Sequence, residues 1–183
     1  MIIFSILKGD YTMDKKALKK ISYGLYVVSS VKNNKYNGQI ANSVFQVASD
    51  PALILVSINK TNFTHECIIE SKKFTVSVLS KNTDFMFIGL FGFKSGKDID
   101  KFENVKFKLS KSNIPILLEN SIAWLDCEVI DTFDAKTHSL FIGKLTDSDV
   151  LNDQEPLTYD YYQNVIKGNT PKTATTYIKD DFK

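Results

Sequence analysis

A closed antiparallel β barrel with a few helices packed outside it is the fold this sequence predicts. Three observations carry that expectation. Short β-branched or alternating runs recur along the chain. Polar or Gly/Pro/Asn breakers separate them at close spacing. Only a few stretches carry helix signals, too few for a strand–helix alternation.

The elements follow in order. Asp14 is placed to cap a short basic helix over 15–21, with Ala17, Leu18 and Ile21 on one face and Gly24 as its stop. A β-branched strand occupies 25–31, and Lys32-Asn33-Asn34-Lys35 is a polar hairpin turn. The chain returns over 36–44. Asp50-Pro51 breaks it, and 53–58 reads as a buried strand. Asn62-Phe63-Thr64 precedes a helix start at Glu66–Ile69. The next strand is 74–79, where Thr75 and Ser77 alternate with Phe74, Val76 and Val78. A helix covers 84–91, a Gly/Lys-rich loop follows at 92–97, and further strands are expected at 106–109, 122–130 and 139–145.

The length of 183 residues fits a single domain, 1–183, that buries a real core. Within it, 1–12 reads either as an added edge strand or as an N-terminal extension with Met13 the more natural start, and 160–183 as a C-terminal tail. The apolar run Ile2–Leu7 is far shorter than the roughly 20 residues that cross a bilayer, and it lacks a basic flank and a cleavage site. With a net charge of +2, no strong field favours nucleic acid or an anionic membrane, and neither is expected as a partner. All 23 basic residues are lysines. Without arginine, an anion has to be held by lysine, hydroxyls, amides and backbone N–H groups. Two cysteines far apart, Cys67 and Cys127, make neither a metal cluster nor a secreted disulfide scaffold, so no metal and a reducing, cytoplasmic setting are expected. The chain has no GxSxG, HExxH or GxxxxGK[ST] pattern, and no GxGxxG follows a strand.

Three segments carry candidate chemistry. In Gly38–Ser43, small residues leave the backbone of Ile40, Ala41, Asn42 and Ser43 accessible to the polar rim of a flat heteroaromatic ring. Taken alone, those letters read more readily as an ordinary edge strand ending in a turn. In Ser57-Ile58-Asn59-Lys60-Thr61-Asn62-Phe63-Thr64, the chain leaves a strand and enters a helix, where free N–H groups and the dipole suit a phosphate and Lys60 adds a charge. Simple capping by Asn62 or Thr64 is the alternative. In Phe91–Asp98, glycines permit motion, Phe91 and Phe93 can cover a ring and Lys94 can meet an anion; a solvated loop is the plain alternative. His65 reads as exposed or phosphate-adjacent. His138 sits at the start of a strand, either within reach of a pocket or solvated.

In this order, YGLYVVSS, NGQIANSVFQVASDPALILVSINKTNFTHECI, KKFTVSVLS, FGFKSGKDIDKF, IAWLDCEV, KTHSLFIGKL and EPLTY resemble the flavin reductase-like family, over about 23–159. The tail YYQNVIKGNTPKTATTYI looks like the end of the flavin domain in NADH:rubredoxin oxidoreductases and flavoredoxins. The resemblance implies a mainly β, antiparallel Greek-key, FMN-binding split barrel with flanking helices, generally a homodimer with the flavin near the subunit interface. It implies tightly bound FMN, with Ile40, Ala41, Asn42 and Ser43 facing the ring system. Ser57, Ile58, Asn59, Lys60, Thr61, Asn62 and Phe63 would hold the ribityl-phosphate arm, and Phe91 and Lys94 would lie close by. His138 is the catalytic candidate, a neighbour of nicotinamide or flavin. NAD(P)H is the implied co-substrate, with free flavin or a separate iron protein such as rubredoxin as acceptor, since the chain stops at Lys183 without paired CxxC motifs. A flavoredoxin-like carrier and a non-redox ligand-binding barrel remain as alternative readings.

Overall fold

The computed structural model describes residues 14–178, so the 1–12 extension, Met13 and the last five residues lie outside it. Strand β1 (Tyr26–Lys32) turns through Asn33 and Asn34, both at positive φ, into β2 (Lys35–Ala41). Two consecutive left-handed residues are what a two-residue hairpin of the right twist needs, and asparagine tolerates them better than most side chains. Then follow β3 (Val44–Ser49), β4 (Ala52–Asn59), α1 (Phe63–Ser71), β5 (Lys73–Leu79) and α2 (Phe85–Phe93). A small hairpin, β6 (Phe107–Leu109) with β7 (Pro115–Leu117), precedes the long hairpin of β8 (Ser121–Ala135) and β9 (His138–Val150). The short α3 (Tyr159–Asn164) ends the regular structure.

One seven-stranded antiparallel sheet runs in the order β2-β1-β5-β8-β9-β4-β3. Its two edge strands, β2 and β3, are consecutive in the chain and joined only by Asn42 and Ser43. The sheet therefore has to roll until its edges meet at that corner, because two linking residues span only about 10 Å. The corner is tied by the Ser57 N–H donating to the Ser43 carbonyl at 3.1 Å. Among the described residues no ladder joins β2 to β3, which leaves the barrel split. The interior is filled by Val28, Val56, Ile58, Phe74, Val76, Cys127 and Phe141, with Ile68 of α1. A second core of Leu25, Val27, Leu79, Ile88, Phe91, Phe102, Leu117 and Leu157 lies outside the sheet, beneath α2 and the β6–β7 hairpin. Val27 and Val28 serve different cores, so β1 is covered on both faces. Thr75 and Ser77 are also buried: the Thr75 hydroxyl donates to the Pro115 carbonyl at 2.6 Å, and Ser77 Oγ accepts from Leu117 N–H at 3.2 Å.

The structure amends the expected elements at several points. The basic segment is a 3-10 helix over Lys15–Lys20, capped by Asp14 as expected, but none of it is buried and it stops at Ile21 rather than at Gly24. The return strand over 36–44 breaks at Asn42-Ser43, and β3 is a separate strand. The β8–β9 hairpin outruns both expected strands, because 129–135 pairs only with β9 and stands at an exposed edge. No described helix is long and apolar enough to cross a membrane.

Candidate functional site

The edge strand β2, the turn from β4 into α1, the end of α2 and the chain after α3 converge on one groove. It has two lobes, a smaller and a larger, which share Gln39, Ile40, Gly92, Phe93, Pro171, Thr173 and Ala174 as a common wall. The smaller lobe is lined by apolar and aromatic groups, among them Leu25, Ala41, Ile88, Tyr159 and Tyr162. The larger is lined by polar and cationic ones, including Asn37, Thr61, Thr64, Lys94, Lys97 and Lys101.

On an edge strand, half the backbone groups have no partner in the sheet. The Gly38 carbonyl accepts from Lys101 Nζ at 2.8 Å, on the side away from β1. Strand alternation puts the N–H and C=O of Ile40 on that same free edge, facing the groove.

The turn before α1 is built by Asn59, whose Oδ1 accepts from Thr61 N–H at 3.0 Å and from the Thr61 hydroxyl at 2.8 Å. Asn62 occupies the N-cap position but makes no capping bond; its amide donates instead to Gln39 Oε1 at 3.1 Å. The first turn of α1 thus presents uncapped N–H groups and the positive dipole end to the larger lobe. Beside it, Asn37 Nδ2 donates to Thr64 Oγ1 at 2.7 Å, while Asn37 Oδ1 is buried with no partner.

Lys101 is 3% exposed. Its ammonium also donates to the Phe91 carbonyl at 3.3 Å, and burial pushes its pKa down to about 8. Two of its three protons are spoken for, which leaves one for a ligand. At the mouth, Glu66 accepts from Lys97 at 2.6 Å and Lys32 at 2.9 Å, which hold its carboxyl at about 2.

Of the residues singled out from the sequence, Ile40, Ala41, Asn42, Ser57 and Asn59 line the smaller lobe, and Thr61, Asn62, Phe63, Phe91 and Lys94 the larger. Four are not brought there. Ile58 points into the barrel interior and is fully buried, because β4 alternates and Ser57 and Asn59 take the groove side. Lys60 turns away to Asp134, at 2.7 Å. Ser43 spends its hydroxyl on Asn42 Oδ1 at 3.2 Å. His138 lines neither lobe; Nδ1 meets the Thr137 hydroxyl at 2.9 Å. Burial lowers the His138 pKa, against a smaller opposing effect of the Thr173 main chain. His65 is half-buried against the Phe141 ring with Nε2 2.9 Å from Ser139 Oγ, rather than exposed. Sequence reasoning missed Asn37, Lys101, Tyr159, Tyr162 and 169–175. Lys101 is one lysine of 23, and nothing local distinguishes it.

The model for the flavin reductase-like domain matches residues 18–166. The chain is 49% identical to the high molecular weight rubredoxin of Moorella thermoacetica over 165 residues, 90% of this chain and 72% of that one. It is 45% identical to the ferric-chelate reductase (NAD(P)H) of Archaeoglobus fulgidus over 167 residues, 91% of this chain and 99% of that one. Among solved structures, the NADH:FAD oxidoreductase SgcE6 of Streptomyces globisporus superposes with a TM-score of 0.72 at 22% identity, covering 79% of this chain and 85% of that one. Flavoredoxin from Methanosarcina acetivorans gives 0.65 at 21% identity, covering 70% and 68%. Both share the split-barrel fold.

Proposed function

The chain belongs to the flavin reductase-like domain family and is an oxidoreductase of that type; from that premise we propose that it holds FMN in the groove along β2, takes hydride from NAD(P)H and passes the electrons to an acceptor. The carrying observation is the uncapped start of α1 and the buried Lys101 ammonium opening into the same groove as the free edge of β2. The donor set fits a flavin monophosphate. Phe63 and Thr64 N–H groups and Lys101 suit a phosphate dianion. Asn37 Oδ1, buried and unpartnered, suits a ribityl hydroxyl donor. The Ile40 backbone and Asn42 would meet the polar rim of the ring system, with Ala41, Leu25, Ile88 and Phe93 as its apolar bed.

When bound, the flavin supplies the redox chemistry, accepting two electrons and a proton as hydride and returning the electrons to an oxidant. The protein's part is to orient, neutralise and exclude water. A cation and main-chain donors fixed before the reaction stabilise negative charge without reorganising. His138 belongs to this reading only as a neighbour reached through Thr173, and no proton transfer is assigned to it.

The reading extends to one domain with the tail included, since 169–175 lines the groove beyond the family match. It extends to a homodimer, supported by the exposed Phe85, Met86 and Phe93 of α2, and to a cytoplasmic setting, supported by two free, buried cysteines. Anaerobic stopped-flow reduction of the purified protein by NADH and NADPH tests the function. Bleaching of a flavin spectrum by either supports it. Colourless protein that takes up no added FMN overturns it, and rapid reduction by ferredoxin with none by nicotinamide makes the protein a carrier.

A further inference from the structure

The larger lobe carries more positive charge than a flavin phosphate uses. Among the described residues, Lys94, Lys97 and Lys101 line it and no carboxylate does. Lys101 lies deep, against the β2 edge, where the flavin phosphate is placed. Lys97 stands at the mouth, its side chain 53% exposed. Lys35, the first residue of β2, joins it there, its ammonium reaching the Lys97 carbonyl at 3.5 Å. Both ammoniums sit over the Phe63 ring, 5.9 and 5.8 Å from its centroid. Gly96 permits that approach, since even a Cβ there would stand only 3.3 Å from the ring edge. The ring face restrains two lysine stems that are otherwise free to swing. Two like charges held at one ring repel each other until an anion joins them. The nearby acids do not supply one in full. Glu66 pairs with Lys97 and Lys32, and Glu70 accepts from the Asn33 N–H at 3.1 Å and acts on Lys32. Lys35 has no ion pair among the described residues.

A nicotinamide dinucleotide that delivers hydride into this groove keeps its adenosine half at the outside. NADH and NADPH differ only in that half, by a 2′-phosphate that is close to a dianion at neutral pH. Selection of NADH calls for a free carboxylate on the ribose 2′-hydroxyl, and selection of NADPH for a cation. Here the carboxylate at the mouth, Glu66, is already engaged by two lysines, and cations are left over. We propose that Lys35 and Lys97, held over Phe63, bind the 2′-phosphate and make NADPH the preferred hydride donor. Lys32 assists by neutralising Glu66 beside them. The inference rests on the flavin reading above and deepens it by naming which dinucleotide the site takes.

The test uses the full-length, FMN-loaded protein and reads kcat/KM for NADPH and for NADH. Two exposed pairs with a dianion should favour NADPH by about tenfold, and added salt should narrow the gap. Lys35→Met and Lys97→Met should each lower the NADPH:NADH ratio about threefold, and the double variant should bring it close to one. Lys60→Met, which removes a lysine outside the groove, should leave the ratio as it is. Calorimetry with 2′,5′-ADP and 5′-AMP reads the subsite without turnover. The wild type should hold 2′,5′-ADP about tenfold tighter than 5′-AMP, and the double variant should lose that margin. The inference is overturned if the wild-type ratio lies within about twofold of one, or if the double variant keeps the wild-type ratio. It is also overturned if the lysine variants weaken FMN as much as NADPH. The same holds if the wild type prefers FAD to FMN and the variants lose that preference, since the lysines then meet the flavin's own phosphates. A wild-type protein that takes up no flavin overturns the parent reading instead, and 2′,5′-ADP binding still decides this one.

Discussion

Lys101→Met isolates the part of the site that the groove geometry makes most specific. The substitution keeps the length of the stem and removes a buried ammonium with one proton free for a ligand. A hydrogen bond to a charged partner contributes about 1.5–3 kcal/mol, so FMN affinity should fall roughly ten- to hundredfold. Riboflavin, which lacks the phosphate, should be held as before. Titration by flavin fluorescence reads both. The pH dependence gives a second readout. An anion at Lys101 favours its charged form, so FMN affinity should be flat between about 7, where the phosphate is already a dianion, and about 8, and fall above it, by at most about tenfold per pH unit, while riboflavin binding stays flat. Stability runs in the opposite sense. The folded pKa of about 8 lies below the ordinary 10.5, so between those values the unfolded chain binds more protons. The wild type should therefore gain about 3 kcal/mol relative to Lys101→Met as pH rises across that window, measured by urea unfolding. Equal losses for FMN and riboflavin would show that Lys101 shapes the groove without meeting a phosphate, and no loss for either would place the phosphate elsewhere.

Three further substitutions separate the site from its surroundings. His138→Gln should slow NAD(P)H oxidation by less than about tenfold, far short of the 10²–10⁴ that a general acid or base contributes; a larger fall in kcat would return His138 to the chemistry. Lys60→Met removes an exposed ion pair with Asp134, so it should cost under about 1 kcal/mol and leave FMN binding unchanged; a weaker FMN complex by fluorescence titration would contradict the geometry. Gly96→Ala would place a Cβ 1.9 Å from Asn37 Oδ1, whose amide is fixed on Thr64. It should cost about 1–3 kcal/mol in chemical denaturation and loosen FMN; wild-type stability and FMN affinity would refute the close approach.

What was legible in the sequence is what neighbouring residues decide. The Asn33-Asn34 hairpin follows from two residues that tolerate positive φ, and the Asp14 cap of the basic 3-10 helix from a carboxylate placed two residues before Lys16 N–H, at 2.9 Å. The turn Asn59–Asn62 was equally readable, since its bonds span two residues. By contrast β3 carries exposed Phe45 and Val47, so its pattern runs on from β2 without a break. What separates the two strands is a hydrogen bond from Ser57, fourteen positions away. β7 is three residues long, and its burial depends on Thr75 and Ser77 of another strand.

The same division runs through the site. Lys60 stood among four short hydrogen-bonding residues and looked like the phosphate's cation, but Asp134 lies 74 positions along the chain and claims it. Lys101 meets Gly38 across 63 positions, and Thr176 meets Asn42 across 134. In each case a side chain with an unremarkable local context is recruited by a backbone or amide group that only the rolled sheet brings near. A barrel split at one corner is bound to work this way. The edge that faces the groove is one short strand, β2, so whatever neutralises and covers a ligand there has to arrive from the loop after α2 and from the tail, whose letters alone read as lysine-rich and polar connection.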